Sequence, residues 1–171
     1  GGFNRLRREG FEFKQNFYNY AQTCTGPGHA SISTGATPSV HGIAGNAWYD
    51  IYQDGKYNYS ADDGKSRLVS KNPQKEDLFR SPSNLQSSTL GDQFKLAFGE
   101  ESKVIGISLK DRASNFSSGR EVDAAYWMMR DGYWGSSTYF MDSLPSWVRN
   151  WNEKGGMWKY ADSVWKPLQN H

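Results

Sequence analysis

A single cysteine, Cys24, in 171 residues excludes an internal disulfide and any cysteine-rich zinc module. No apolar run approaches the ~20 residues that span a bilayer. The longest are stretches such as Val104–Ile107, so no membrane association is expected. Charge of one sign is scarce as well. Twenty Lys and Arg face 18 Asp and Glu, and a net charge of +2 gives no electrostatic reason to expect nucleic-acid binding. Internal repeats and low-complexity tracts are absent. Aromatic residues, in contrast, reach 15% and hydrophobic residues 36%, enough for a packed core in a chain of about one domain's length. Gly1-Gly2 at the start and the apolar Val164-Trp165 pair near His171 read as cut ends, so residues 1–171 are expected to be part of one larger domain.

Along the chain, Phe3 and Leu6 among three arginines, closed by Gly10, predict the last turns of an amphipathic helix. The alternation Phe11-Glu12-Phe13-Lys14 predicts a strand running toward Phe17-Tyr18. The small-residue stretch from Thr23 predicts a turn opening into a short helix that ends at Gly35 and Pro38. Trp48–Tyr52 and Tyr57–Tyr59 around Asp54-Gly55 predict a β-hairpin. Residues 61–81 are polar without a period and read as a long surface loop. Ser83 is the expected cap of a helix carrying Leu90, Phe94, Ala97 and Phe98 on one face and ending at Gly99. Lys103–Leu109 reads as a buried strand of a parallel sheet covered on both faces. Residues 111–119 form a polar stretch, after which Ala124–Met129 and Tyr133–Phe140 flank Asp131-Gly132 as a second hairpin. A last helix follows Pro145, with Leu144, Trp147, Val148 and Trp151 on one face. This alternation points to an α/β layered fold with hairpin insertions.

Two phosphate-binding signatures fail on inspection. Gly26-Pro27-Gly28 has Ser31 where a dinucleotide fingerprint needs its third glycine, and Gly64-Lys65-Ser66 has Tyr59 where a P-loop needs its first. Adjacent acids at Asp62-Asp63 and Glu100-Glu101 read as solvated surface. Tyr57, Tyr59, Trp127, Trp134 and Tyr139 suit hairpin packing or, alternatively, a sugar-stacking platform. His29 and His41 read as structural hydrogen-bonding groups. Asn58-Tyr59-Ser60 and Asn115-Phe116-Ser117 fit the glycosylation triplet, which recurs by chance.

Two places suit anion chemistry. Thr25 stands before Gly26-Pro27-Gly28 at a helix start, where exposed backbone N–H groups and the helix dipole would stabilise an alkoxide or an anion. The alternative is a Thr that caps the helix. Lys110 and Arg112 follow the predicted buried strand, and i, i+2 spacing in extended chain would set both cations on one side of a sheet edge. Two convergent cations suit a phosphoryl group. Mutual charge balance within Lys110-Asp111-Arg112 is the alternative.

The blocks Thr23-Cys24-Thr25-Gly26-Pro27-Gly28-His29-Ala30-Ser31, Thr34-Gly35, Pro38, His41-Gly42-Ile43, Asn46 and Trp48-Tyr49-Asp50 resemble the alkaline phosphatase superfamily. The resemblance is to the branch of type I phosphodiesterases and nucleotide pyrophosphatases with a Thr nucleophile, and within it to bacterial secreted alkaline phosphatases. Ser81–Leu85, Ile107–Arg112, Asp123–Trp127 and Leu144–Val148 extend it over nearly the whole chain. It implies an alkaline-phosphatase-like layered α/β sandwich, of which this chain is the N-terminal-side part. It also implies hydrolysis of phosphate monoesters through a phosphothreonine intermediate. Thr25 would be the nucleophile, its oxygen on zinc, and Asn46 would donate to a non-bridging phosphate oxygen. Lys110 and Arg112 would match the cationic pair that distinguishes monoesterases from diesterases. Two zinc ions are implied, their remaining ligands lying outside these residues, so the isolated chain is expected to be inactive. Small phosphorylated substrates, a monomeric enzyme and a periplasmic or secreted location complete the expectation. The rivals are a phosphodiesterase or nucleotide pyrophosphatase of the same superfamily and a non-catalytic, aromatic-rich binding module.

Overall fold

The computed structural model describes residues 2–72 and 78–166. In chain order the elements are α1 (Gly2–Glu9), α2 (Thr25–Thr34), α3 (Pro38–His41), β1 (Ala47–Asp50), β2 (Lys56–Tyr59), β3 (Leu68–Val69), α4 (Leu90–Phe98), β4 (Ile105–Ser108), α5 (Asp111–Ser118), β5 (Ala124–Met128), β6 (Trp134–Ser137) and α6 (Ser146–Glu153). A 3₁₀ turn follows at Gly156–Tyr160.

β1 and β2 form a separate two-stranded hairpin with Trp48 opposite Asn58. Its turn places Asp54 and Gly55 at φ 50° and 73°, the left-handed pair that a tight hairpin turn requires. The other four strands form one sheet in the order β3-β6-β5-β4. Only β4 and β5 are parallel, with Gly106 opposite Ala125, and α5 is their crossover. Gly106 is where α5 comes closest: a Cβ there would lie 2.6 Å from Ser118 Oγ and 3.0 Å from Ser114 O.

β5 is the centre of the fold, and its alternation sorts the core into two layers. Ala124 and Tyr126 pack with Leu144 and Val148 of the α6 region. Ala125, Trp127 and Met129 pack with Leu68 and Phe140 on the opposite face. A third cluster, Ala30, Ile43, Ala61, Leu85 and Phe116 with Tyr59 at its edge, joins α2 to α5 and the hairpin. The aromatics therefore belong to different layers. Trp127 and Trp134 enter opposite clusters, and Tyr139 donates to Arg120 O.

Several expectations change. Residues 11–22 form no regular element and are almost entirely exposed, so the strand expected at Phe11–Tyr18 is absent; an alternating pattern cannot hold a strand without a neighbour to pair with. The loop at 61–81 is partly interior: Ala61, Ser66 and Ser81 are buried, and β3 lies within it. Asp63 organises that loop by accepting from Lys65 N, Ser66 N and Ser66 Oγ. Burial opposes its charge, yet these bonds hold its carboxyl at about 2. Residues 73–77 of the expected loop, like His171, lie outside the described residues.

Helix α4 begins at Leu90, and its cap is Thr89 rather than Ser83. Thr89 Oγ1 accepts from Asp92 N at 3.1 Å while Asp92 Oδ2 accepts from Thr89 N at 2.8 Å. This reciprocal box satisfies two end groups, whereas Ser83 is spent on a turn with Ser81. Asp92 Oδ1 also accepts from Arg120 N and Glu121 N, tying α4 to the exit of α5.

β4 is an edge strand rather than one covered on both faces. Gly106 is buried, but Ile105 and Ile107 are 51% and 59% exposed, because α6 covers β5 without reaching the strand beside it. The stretch from Asp111, expected to be polar and irregular, is helix α5, with Ala113, Ser114, Asn115 and Phe116 buried. Asn115 is therefore no accessible glycosylation acceptor.

Candidate active site

Residue 24, not 25, occupies the N-cap of α2, in extended conformation and without a side-chain cap. Thr25 is the first helical residue, half-buried, and its hydroxyl is not consumed by capping. The cap comes from a distance. Asn46, at the mouth of β1, accepts from Gly26 N with Oδ1 at 2.8 Å. A carbonyl oxygen must face that N–H, so the orientation of the amide is fixed and its NH₂ group is left as a free donor.

This corrects the picture of a row of exposed N–H groups at the helix start. Gly26 N–H is taken by Asn46, Pro27 has none, and Gly28 N–H bonds Cys24 O at 2.9 Å. The Thr25 N–H and the Asn46 amide are the donors that remain there for an anion. Gly26 is required by close approach, since a Cβ there would lie 3.1 Å from Gly45 O and 3.3 Å from Asn46 Oδ1. At Gly28 the same atom meets nothing within 4 Å, leaving open space at the helix start.

His41 secures the segment carrying Asn46. Its buried Nδ1 accepts from Ile43 N at 3.1 Å, so Nε2 holds the proton and faces Ser31 Oγ at 3.0 Å. Burial holds this ring below its usual value and keeps it neutral. His29 faces Ser117 Oγ at 3.0 Å across the α2–α5 contact. Both histidines have the structural role read from the sequence.

Lys110 and Arg112 do converge, but by another geometry than extended chain. Lys110 is the extended N-cap of α5, and Arg112 stands within the helix's first turn. They line one cavity of about 470 Å³ at the carboxyl end of β4, with Tyr59, Arg80, Asp111, Trp127 and Arg130 among its walls. Charge balance between immediate neighbours does not occur. Asp111 instead accepts from Arg80 Nε at 2.5 Å and from the Tyr59 hydroxyl at 2.9 Å. The guanidinium carbons of Arg80 and Arg112 lie 4.3 Å and 5.1 Å from the Tyr59 ring centroid. Arg112 Nε is buried without a hydrogen-bond partner.

The structure brings together Asn46 with the α2 start, and Lys110 with Arg112. The β1–β2 hairpin bridges the two groups: Asn46 O accepts from Ser60 N, and the adjoining Tyr59 reaches Asp111. Thr25 and Asn46 do not themselves line the cavity. Tyr59 and Arg80 were missed as site residues, Tyr59 being read only as hairpin packing. Their role depends on contacts 52 and 31 residues away in sequence, which no local pattern announces.

Among the described residues, no three His, Cys, Asp or Glu side chains gather to hold a metal ion. No helix among the described residues is long and apolar enough to cross a membrane.

Residues 1–169 match the model of the family "Type I phosphodiesterase / nucleotide pyrophosphatase". Over 98% of its length the chain is 39% identical to the alkaline phosphatase PafA of Elizabethkingia meningoseptica, covering 31% of that protein. It is also 39% identical, over 98% of its length, to a Myroides odoratus protein named calcium-transporting ATPase, covering 30% of it. The crystal structure of wild-type PafA superposes with a TM-score of 0.85 at 38% identity, over 98% of this chain and 32% of that one. A PafA mutant with one Thr, one Asn, one Lys and one Arg replaced gives a TM-score of 0.79 at 37% identity, over 89% of this chain and 29% of that one. The chain thus spans about a third of the length of these relatives. Sequence and fold agree over nearly all of it, and the chain belongs to the type I phosphodiesterase / nucleotide pyrophosphatase family, with the α/β fold of the alkaline phosphatase PafA.

Proposed function

We propose that the protein containing this chain hydrolyses phosphate monoesters, with Thr25 as the nucleophile. Thr25 Oγ1 attacks phosphorus, the bond from phosphorus to the ester oxygen breaks, and the leaving group departs with that electron pair and takes up a proton. Water then cleaves the phosphothreonine, releasing inorganic phosphate and restoring the hydroxyl. The Asn46 amide donates to a non-bridging oxygen. Lys110 and Arg112 oppose the additional anionic charge that a monoester carries and a diester lacks.

The observation that supports this reading most is the Gly26 N–H to Asn46 Oδ1 bond, which ties Asn46 to the residue after Thr25 and leaves its NH₂ group free to donate. The PafA mutant supports it. The residue types replaced there are the four singled out here, in the same chain order, with the same separation of Thr from Asn and the same i, i+2 spacing of Lys and Arg. Two zinc ions would lower the pKa of the nucleophile in the whole enzyme. The described residues alone lack the ligands, so the 171-residue chain on its own is expected to be inactive. The remaining elements of the proposal, small phosphorylated substrates, a monomer and a periplasmic or secreted location, rest on the family resemblance.

Rapid acid quenching of the full-length enzyme during turnover of a monoester tests the proposal. A phosphate mass increment on the peptide containing Thr25, absent in Thr25→Ala, is the expected result. Undiminished turnover by Thr25→Ala would refute it. A phosphodiesterase is the second reading, and the cationic cavity at Lys110 and Arg112 favours monoesters over it.

A further inference from the structure

Arg112 is half-buried and next to an aspartate in sequence, yet its guanidinium does not bond that neighbour. The carboxylate of Asp111 accepts from Arg80 Nε at 2.5 Å, from the Tyr59 hydroxyl, 2.9 Å from each of its oxygens, and from the backbone N–H of Arg112 at 2.7 Å, but not from the Arg112 guanidinium. Arg112 Nε is buried and makes no hydrogen bond. A buried charged donor left unsatisfied is costly, so it points to a ligand that completes it. What orients the guanidinium in the free protein is the face of Tyr59.

Two features make that face a firm support. Tyr59 is fixed at both ends: its backbone pairs with Ala47 in the β1–β2 hairpin, and its hydroxyl is anchored to Asp111. Burial and the neighbouring carboxylate also push the Tyr59 hydroxyl far above its ordinary range, so it remains protonated and donating in alkaline solution. Arg80, lying over the same ring, pairs with Asp111, whose bond to Arg112 comes from the backbone N–H and not from the guanidinium. A guanidinium bonded to its own neighbour would have fewer donors left for a phosphate, whereas the buried Nε of this one is uncommitted.

We propose that Tyr59 is a positioning residue for Arg112, with Asp111 and Arg80 as the clamp that fixes its ring, and that this assembly sets the preference for monoesters over diesters. The inference rests on the reading that Arg112 selects monoesters, and one set of variants separates the two. In the full-length enzyme, kcat/KM is measured for p-nitrophenyl phosphate and for methyl p-nitrophenyl phosphate in Tyr59→Leu, Tyr59→Phe, Arg112→Ala and the Tyr59→Leu/Arg112→Ala double variant.

Tyr59→Leu is expected to lower the monoester value about tenfold or more, with the diester value changed less than about threefold, as loss of one guanidinium contact would. In the Arg112→Ala background, removing the ring should cost the monoester nothing further. Tyr59→Phe keeps the ring and removes only the anchor to Asp111, so a smaller loss of the same selectivity is expected, and it serves if Tyr59→Leu does not fold. Equal losses on both substrates, an additive double variant, or an unchanged substrate ratio in Tyr59→Phe and Tyr59→Leu would overturn the positioning role. An unchanged ratio in Arg112→Ala would overturn the monoester reading itself, and the inference with it.

Discussion

The backbone N–H of Gly26 donates to Oδ1 of Asn46 at 2.8 Å, so a residue that closes a loop twenty positions later caps the helix that begins at Thr25. The bond does two things at once. It satisfies an end group of α2, and it settles which end of the Asn46 amide faces away as a donor.

Substitution separates those two roles. Asn46→Asp keeps an acceptor for Gly26 N–H and removes the donor. Its kcat/KM for a monoester should fall about 10²–10³-fold in the full-length enzyme, the usual cost of losing one donor to a developing oxyanion, with the melting temperature nearly unchanged. Asn46→Ala should lose both activity and several degrees of stability. Equal activity in Asn46→Asp and wild type would remove Asn46 from the chemistry.

The two glycines around Pro27 should respond oppositely. Gly26→Ala puts a Cβ against Gly45 O and Asn46 Oδ1, so thermal stability and activity should both drop. Gly28→Ala meets open space within a helix, where Ala is favoured over Gly by roughly 0.5–1 kcal/mol, so the melting temperature should hold or rise. Its effect on turnover would report whether substrate uses that space.

Thr89→Ala should cost about 1–2 kcal/mol in chemical denaturation, the usual worth of a helix cap. The hydroxyl also donates to Ser118 O at 2.7 Å, linking α4 to the end of α5. Ser83→Ala should cost less. If the two losses were equal, the capping box would not be the feature holding α4 in place.

Acid should weaken the segment carrying Asn46 through His41. Burial lowers the pKa of this ring from 6.5, so below that pH the unfolded chain takes up a proton that the folded chain resists. The stability it contributes is complete above pH 6.5 and is lost as pH falls through the folded value. Melting temperatures between pH 7.5 and 5 should fall more steeply for the wild type than for His41→Gln. Parallel profiles would show that His41 does not govern the slope.

Much of the local structure is legible from residues alone. Asp54-Gly55 and Asp131-Gly132 mark both hairpins, Gly35 closes α2, and Pro145 opens α6. Where neighbours decide, local reading falls short. Phe11–Tyr18 alternates like a strand and finds no partner, and Ile105 and Ile107 read as core yet lie on an open edge. Helix α5 was hidden because Ser114, Asn115 and Ser118 look like loop residues, although their burial follows from packing under the sheet.

Family membership and the four candidate residues, Thr25, Asn46, Lys110 and Arg112, follow from the order and spacing of short motifs, because chemistry demands particular side chains at particular intervals. Which groups are available for that chemistry was decided by tertiary structure. Asn46 turns its amide because Gly26 N–H is there to be capped, and the Arg112 guanidinium keeps its donors free while Tyr59 and Arg80, from distant parts of the chain, bind the Asp111 carboxylate. A hydrogen-bonding group satisfies whichever partner the fold brings nearest, and that distance in space is not written in the distance along the chain.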